Sequence, residues 1–64
     1  MKRTYRYSIV CEHKGRVTTI IMYDTCATNP TDALINFMSW HERTYPGRRA
    51  YNVVCNLVSV DISL

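Results

Sequence analysis

Alternation of apolar and polar residues predicts three β-strands in this chain. In the first, Arg3–Cys11, every second side chain is apolar or aromatic, as expected for a strand with one buried face. The polar segment that follows ends in Gly15, which predicts a hairpin in which Gly15 adopts a positive φ angle. The return strand is expected over Arg16–Tyr23, and a long valine-rich strand over Ala50–Ile62.

A helix is predicted between the second and third strands. Asn29 can cap its N-terminus, Pro30 suits the first helical position, and Asp32 complements the positive end of the helix dipole. The helix is expected to run from Pro30 to about Thr44 and to end before Pro46, where a proline followed by a glycine stops it. Its apolar stripe consists of Ala33, Leu34, Phe37, Met38, His41 and Tyr45.

The final strand does not alternate cleanly, because apolar residues point to both of its faces. One face carries Val53, Cys55 and Leu57, and the other carries Val54, Val58, Val60 and Ile62. Two explanations remain open. Either a β-bulge near Leu57 and Val58 exchanges the faces, or another surface covers the second face.

The order strand–strand–helix–strand predicts an α+β fold. A hairpin followed by a right-handed crossover places the third strand beside the first. The expected architecture is a single two-layer ββαβ domain over residues 1–64, with a three-stranded antiparallel sheet of order 2-1-3 and the helix on one face. Because one helix covers only one face, the sheet is expected to keep an exposed apolar surface.

Composition narrows the class of protein. Of the 64 residues, 47% are hydrophobic and 20% are charged, a balance typical of a folded domain and not of a disordered chain. So short a chain has little room for a core together with a deep, enclosed active site, because such pockets typically occupy roughly 300–1,000 Å³. The net charge of +3 permits attraction to nucleic acid or to an acidic protein surface without requiring either.

The cysteines predict a reducing compartment. Cys11, Cys26 and Cys55 are odd in number and form no CxxC pair, unlike the even cysteine sets of secreted disulfide-rich domains. The chain shows no signal-peptide pattern and no run of about 18 apolar residues. We therefore expect a cytoplasmic protein with reduced thiols and no membrane partner.

Candidate catalytic and metal-binding residues are sparse. His13 is expected in the hairpin loop, and His41 on the buried stripe of the helix. With Cys26 or Cys55, these histidines give no recognisable ligand series. A nucleophilic pair of His41 with Cys11 or Cys55 is conceivable in space, but strand cysteines in a small domain more often fill the core. We therefore expect no metal, no cofactor and no enzymatic activity.

The exposed apolar surface and the loop charges predict an interaction protein. The third strand is a sheet edge without an internal proline, which favours a homodimer or strand addition by another protein. The expected partner-binding residues lie at the helix margins and beyond the helix: Ile35, Trp40, Arg43, Arg48 and Arg49. The expected partner is another protein, which this chain inhibits or redirects.

An RNA- or single-stranded-DNA-binding module is the alternative. Rings and cations are interleaved in the first strand, where bases can stack on the rings and phosphates can pair with the cations. This Tyr/Arg surface would consist of Arg3, Tyr5, Arg6 and Tyr7. Because no RNP-like motif accompanies these residues, the nucleic-acid alternative ranks second.

The order and size of the elements resemble those of small accessory proteins of bacteriophages. The segments that carry the resemblance are the hairpin strands YRYSIVC and RVTTIIMY, the helix NPTDALINFMSWHER and the strand NVVCNLVSVDI. The plan is similar to that of Dmd-type phage antitoxins, which neutralise a bacterial RNase toxin by occupying its active-site region. The resemblance implies an antitoxin-like, anti-defence inhibitor that acts on a host or defence protein in the host cytoplasm. It lies in the element order and carries no functional residue.

Overall fold

The computed structural model describes residues 2–63 and arranges them as a ββαβ fold. The strands are β1 (Lys2–His13), β2 (Thr19–Ala27) and β3 (Tyr51–Ser63), and the helix α1 spans Pro30–Thr44. Both strand pairs are antiparallel and the sheet order is β2-β1-β3, which confirms the expected α+β topology. The helix lies on one face of the sheet and packs most extensively against β2.

The hairpin between β1 and β2 differs from its predicted form. β1 continues through His13, and β2 begins at Thr19 and runs to Ala27, so both strands extend beyond their predicted ends. His13 pairs with Thr19, which leaves a five-residue loop over 14–18. The positive φ predicted for Gly15 is wrong: among the described residues, Gly47 and Asn52 adopt positive φ angles. A loop of this length reverses the chain without the left-handed residue that a tight turn requires.

A bulge in β3 redirects its apolar side chains. The register between β1 and β3 steps by one residue between Arg6 and Tyr7, which leaves Val58 as the extra residue. This confirms the predicted exchange of faces near Leu57. Beyond the bulge, Val60 returns to the helix side of the sheet, where it is opposite a tyrosine of β1.

A second irregularity lies near the start of β3. The register also shifts between Val10 and Glu12, opposite Asn52, whose φ of 50° lies in the left-handed region that asparagine tolerates. The Asn52 side-chain amide donates a hydrogen bond to the Glu12 carboxylate. The shift places Tyr51 opposite Glu12, next to the loop that follows α1.

The helix α1 begins and ends where the sequence predicts. Asn29 Oδ1 accepts a hydrogen bond of 2.8 Å from the backbone N–H of Asp32. At the other end, the Tyr45 N–H donates to the His41 carbonyl at 2.7 Å. Gly47 follows with a φ of 79°, a conformation that favours glycine and is common just beyond helix ends.

Replacing the cap tests this helix start. Asn29→Ala removes the acceptor for the Asp32 N–H and is expected to lower the free energy of unfolding by about 1 kcal/mol. Asn29→Gly is the matched control, because glycine at the cap position loses only about 0.3 kcal/mol. Urea denaturation of the three proteins measures both changes. A loss in Asn29→Ala no larger than about 0.3 kcal/mol would show that the side-chain bond does not stabilise the helix.

The core lies between α1 and the helix side of the sheet. Its buried hydrophobic side chains are Tyr7, Ile9, Cys11, Ala33 and Phe37. From the predicted helical stripe, Ala33, Phe37 and His41 are buried as expected. Met38 is instead 66% exposed. Met38 is exposed because α1 packs mainly over β2, so the side of the helix nearer β3 has little of the sheet beneath it.

The molecule is elongated. Its extents are 48 × 18 × 14 Å, whereas α1 is only about 22 Å long and covers less than half of the long dimension. The accessible surface of 4813 Å² exceeds the roughly 4,250 Å² typical of a monomer of this mass. Within residues 2–63, no helix has the length and hydropathy needed to cross a membrane.

Candidate functional site

The outer edge of the sheet carries the largest group of exposed apolar side chains. Among the described residues, eleven large hydrophobic side chains are exposed, and six belong to β3: Val53, Val54, Leu57, Val58, Val60 and Ile62. We call this group the β3 edge. Within residues 2–63, β3 pairs with β1 alone, so its outer backbone groups have no partner strand. The strand contains no proline, lysine or arginine, the residues that commonly protect an edge, and Asp61 is its one charged residue.

A cleft lies between α1 and the start of β3. Its volume is about 380 Å³. Leu34 and Met38 line it from the helix, and Ala50 and Val53 line it from the other side. An extended segment that pairs with the first half of the β3 edge would therefore lie beside an apolar cleft able to receive a side chain.

The two predicted helix-margin residues do not share a surface. Ile35 is 57% exposed and lies about 160° around the helix from the buried Phe37. Trp40 is half-buried, and its ring stacks on Tyr23 of β2 with the centroids 4.7 Å apart. The positions of Ile35 and Trp40 differ by about 140° around the helix, so a flat partner surface contacts one or the other.

The three predicted arginines lie near the C-terminal end of α1. Arg43 is in the last turn of the helix, Arg48 and Arg49 are in the loop before β3, and all three are exposed. The Arg49 guanidinium lies 5.3 Å from the centroid of the Tyr51 ring, and Lys14 Nζ lies 4.8 Å from it. Lys14 and Arg49 therefore place positive charge beside the start of β3, where Glu12 is opposite Tyr51.

The sheet divides the residues of the alternative Tyr/Arg surface. Tyr7 is 5% exposed and belongs to the core, so its ring is not open to a base. Tyr5 is half-buried against the core on the same side, and Arg3 lies on that side near the strand end. Arg6 points to the opposite face, where its guanidinium lies 4.0 Å from the Asp61 carboxylate. The four residues do not form one stacking surface.

The structure brings His13 together with Cys11 and His41, a pair that the sequence analysis had considered without it. His13 is the last residue of β1 and only 3% exposed, so the prediction of a loop position is wrong. His13 Nε2 lies 2.6 Å from His41 Nε2, and one ring N–H donates to the other ring nitrogen. Cys11 completes a buried group whose candidate ligand atoms all lie within 4.8 Å of one another. We call Cys11, His13 and His41 the Cys-His-His cluster.

Burial sets the protonation of this cluster. The pKa of His13 is lowered from its usual value near 6.5, chiefly by burial and further by the charges of Arg48 and His41. Burial also raises the pKa of the Cys11 thiol. The Tyr45 ring packs against both imidazoles, with centroids 4.7 Å from His13 and 5.4 Å from His41. At neutral pH the cluster therefore contains a neutral His13 and a protonated Cys11 thiol.

A signal for the Cys-His-His cluster is present in the sequence. Cys11 and His13 are two residues apart, and on one strand this spacing places both side chains on the same face. His41 lies on the buried stripe of the helix that covers this face. The prediction missed the cluster because it ended β1 at Cys11, which moved His13 into a loop.

Comparisons with known proteins identify no relative. No protein-family model matches the chain, and neither the curated proteins nor the solved structures contain a significant match to it. Its function is therefore inferred from the arrangement of its own residues.

Proposed function

We propose that this chain is a non-enzymatic interaction module that binds another protein by strand addition at the β3 edge. The observation that carries the proposal is the concentration of six exposed apolar side chains on an edge strand that contains no proline, lysine or arginine. An added strand supplies main-chain hydrogen bonds to the outer groups of β3 and places alternate side chains against its apolar ones. Both changes bury surface that is exposed to water in the isolated chain.

The size of the exposed surface supports this proposal. The chain exposes about 560 Å² more than a typical monomer of its mass. A standard protein–protein interface buries about 800 Å² on each partner. The surplus is therefore of the order that one such interface would cover.

Charge indicates the chemistry of the partner. Lys14, Arg48 and Arg49 lie close to the start of β3, and the chain carries a net charge of +3. A partner strand with apolar side chains next to an acidic surface complements both features. In line with the resemblance to phage accessory proteins, the proposed partner is a bacterial host or defence protein that binding inhibits or redirects.

A second copy of this chain is the competing occupant of the β3 edge. Two β3 strands related by a two-fold axis can pair antiparallel and form a continuous six-stranded sheet. Each copy carries +3, so a homodimer lacks the charge complementarity that an acidic partner offers. The acidic partner is therefore favoured.

Lysines placed on the edge test the proposal. The double variant Leu57→Lys/Val60→Lys adds two charges to the β3 edge at positions that are 55% and 44% exposed. Val17→Lys is the matched control, because Val17 is 78% exposed and lies in the hairpin loop, outside β3. We expect the natural protein and Val17→Lys to capture the same stoichiometric protein from nuclease-treated bacterial lysate. The double variant should bind that purified protein at least about tenfold more weakly, a loss of about 1.4 kcal/mol.

Three results would contradict this assignment. Equal binding by the double variant, with its fold verified by circular dichroism, would exclude the β3 edge. A homodimer in light scattering that the double variant dissociates would identify a second copy as the occupant. Retention that requires nucleic acid and weakens as salt rises would favour the RNA- or single-stranded-DNA-binding alternative.

A further inference from the structure

Three side chains of the kinds that bind thiophilic metals converge beneath the C-terminal half of α1. Cys11 and His13 lie on the helix side of β1, and His41 meets them from α1. Their side chains are 0%, 3% and 6% exposed, in that order. We infer that the Cys-His-His cluster binds a single Zn²⁺ through Cys11 Sγ and one ring nitrogen from each histidine, with a water molecule from the adjoining cleft as the fourth ligand.

The observed distances fit this ion after small side-chain movements. Tetrahedral zinc lies about 2.0–2.1 Å from nitrogen and about 2.3 Å from sulfur, so its nitrogens are about 3.3 Å apart and its sulfur about 3.6 Å from each nitrogen. The two Nε2 atoms are 2.6 Å apart, and all candidate ligand atoms lie within 4.8 Å of one another. The imidazoles need to separate by about 0.7 Å and the sulfur to approach by at most about 1.2 Å, which small χ rotations can supply.

The donor set selects zinc over the hard divalent cations. One thiolate and two imidazoles suit Zn²⁺, whereas Mg²⁺ and Ca²⁺ require oxygen ligands, and the cluster contains no carboxylate. When the ion binds, the Cys11 thiol releases its proton to solvent and the thiolate becomes a ligand. His41 also lines the cleft between α1 and β3, which provides an entry path for the ion.

The position of the cluster indicates what the ion would do. It would join the end of β1 to α1, across 28 residues of sequence. Tyr45 packs against both imidazoles and limits their orientations. Small domains often add a structural metal because their hydrophobic cores alone give little stability. This role involves other residues than the β3 edge and does not depend on strand addition.

Cobalt is a direct probe of the proposed ligands, because tetrahedral Co²⁺ has visible d–d bands and thiolate coordination adds a charge-transfer band. The full chain is stripped with chelator under reducing conditions and titrated with Co²⁺, then with Zn²⁺. We expect one ion per chain, both kinds of band, and displacement of Co²⁺ by Zn²⁺. Saturating Zn²⁺ should raise Tm by about 5 °C or more, and Mg²⁺ should not.

Cysteine variants assign the band to Cys11. The double variant Cys26→Ser/Cys55→Ser leaves Cys11 as the one remaining thiol without altering the cluster, and it should keep the charge-transfer band. Cys11→Ser should lose that band and bind Co²⁺ at least about tenfold more weakly, consistent with the loss of one ligand. Cys26→Ser alone is the matched single control, because Cys26 is exposed.

The inference fails if the natural protein shows no tetrahedral Co²⁺ spectrum and no Tm increase with Zn²⁺. It also fails if the charge-transfer band disappears in Cys26→Ser/Cys55→Ser, because another thiol would then be the ligand. The first result would identify the Cys-His-His cluster as a hydrogen-bonded part of the core, and the second would assign the metal to another thiol. Neither result would alter the test of the β3 edge, which measures partner binding.

Discussion

Phe37→Ala is expected to leave the chain largely unfolded at room temperature. Phe37 is 2% exposed at the centre of the interface between α1 and the sheet, and its ring lies near Tyr23, Trp40 and His41 at centroid distances of 5.6–6.1 Å. Truncating a buried phenylalanine costs about 3–5 kcal/mol. A domain of this size rarely has more than about 3–5 kcal/mol of stability in total, so this one substitution would remove most or all of it.

The neighbouring position provides the control. Met38 lies on the same helix but is 66% exposed, so Met38→Ala is expected to change the free energy of unfolding by about 0.5 kcal/mol or less. Urea denaturation followed by circular dichroism measures both variants. A cooperative, folded Phe37→Ala protein with a stability close to that of Met38→Ala would show that the core does not depend on this ring.

Removing either histidine of the buried pair is expected to give the second large loss. In chelator, His41→Ala breaks the hydrogen bond to His13 and leaves a buried polar group without its partner, which costs about 1–3 kcal/mol in addition to the lost packing. His13→Ala should act in the same way. The double variant His13→Ala/His41→Ala leaves neither histidine without a partner. Its loss of stability should therefore be smaller than the sum of the losses in the two single variants.

An exposed hydrogen bond in the same fold is the control for this double-mutant cycle, the comparison of the two single histidine variants with the double variant. The Asn36 side-chain amide donates to Thr25 Oγ1 at 3.2 Å, also between α1 and a strand, but in solvent. Because water replaces the lost partner of an exposed group, single and double alanine variants of Asn36 and Thr25 should show a coupling energy of at most about 0.5 kcal/mol, the low end for residues in contact. If the histidine cycle is equally additive in urea denaturation, the close contact between the imidazoles does not stabilise the fold.

The Cys-His-His cluster and the β3 edge lie on opposite sides of one cleft. His41 and Val53 both line this cleft, so an ion bound at the cluster would also fix one wall of it. A partner segment that enters the cleft would then meet a more rigid surface, which lowers the entropic cost of binding. The two proposals nevertheless depend on different residues and can fail separately.

Local patterns were sufficient to predict the elements and their order. The cap at Asn29 and the Pro46–Gly47 stop are signals within a few residues, and α1 begins and ends accordingly. The bulge at Val58 was also predictable, because the apolar residues of β3 change phase at that point. The limits of the hairpin strands were not, since the ends of β1 and β2 depend on the register between them.

The amino-acid sequence by itself determined a ββαβ domain with more apolar side chains than one helix can cover. Hydrophobic periodicity and capping act over short stretches of chain, so they can be interpreted without coordinates. Only the tertiary structure decided where the surplus lies: α1 packs more closely on β2 than on β3, which leaves the β3 edge exposed, whereas Tyr7 of β1 is buried. It also decided that Cys11, His13 and His41 meet, because the contact between the histidines joins residues 28 positions apart and requires the final register of β1 beneath the helix.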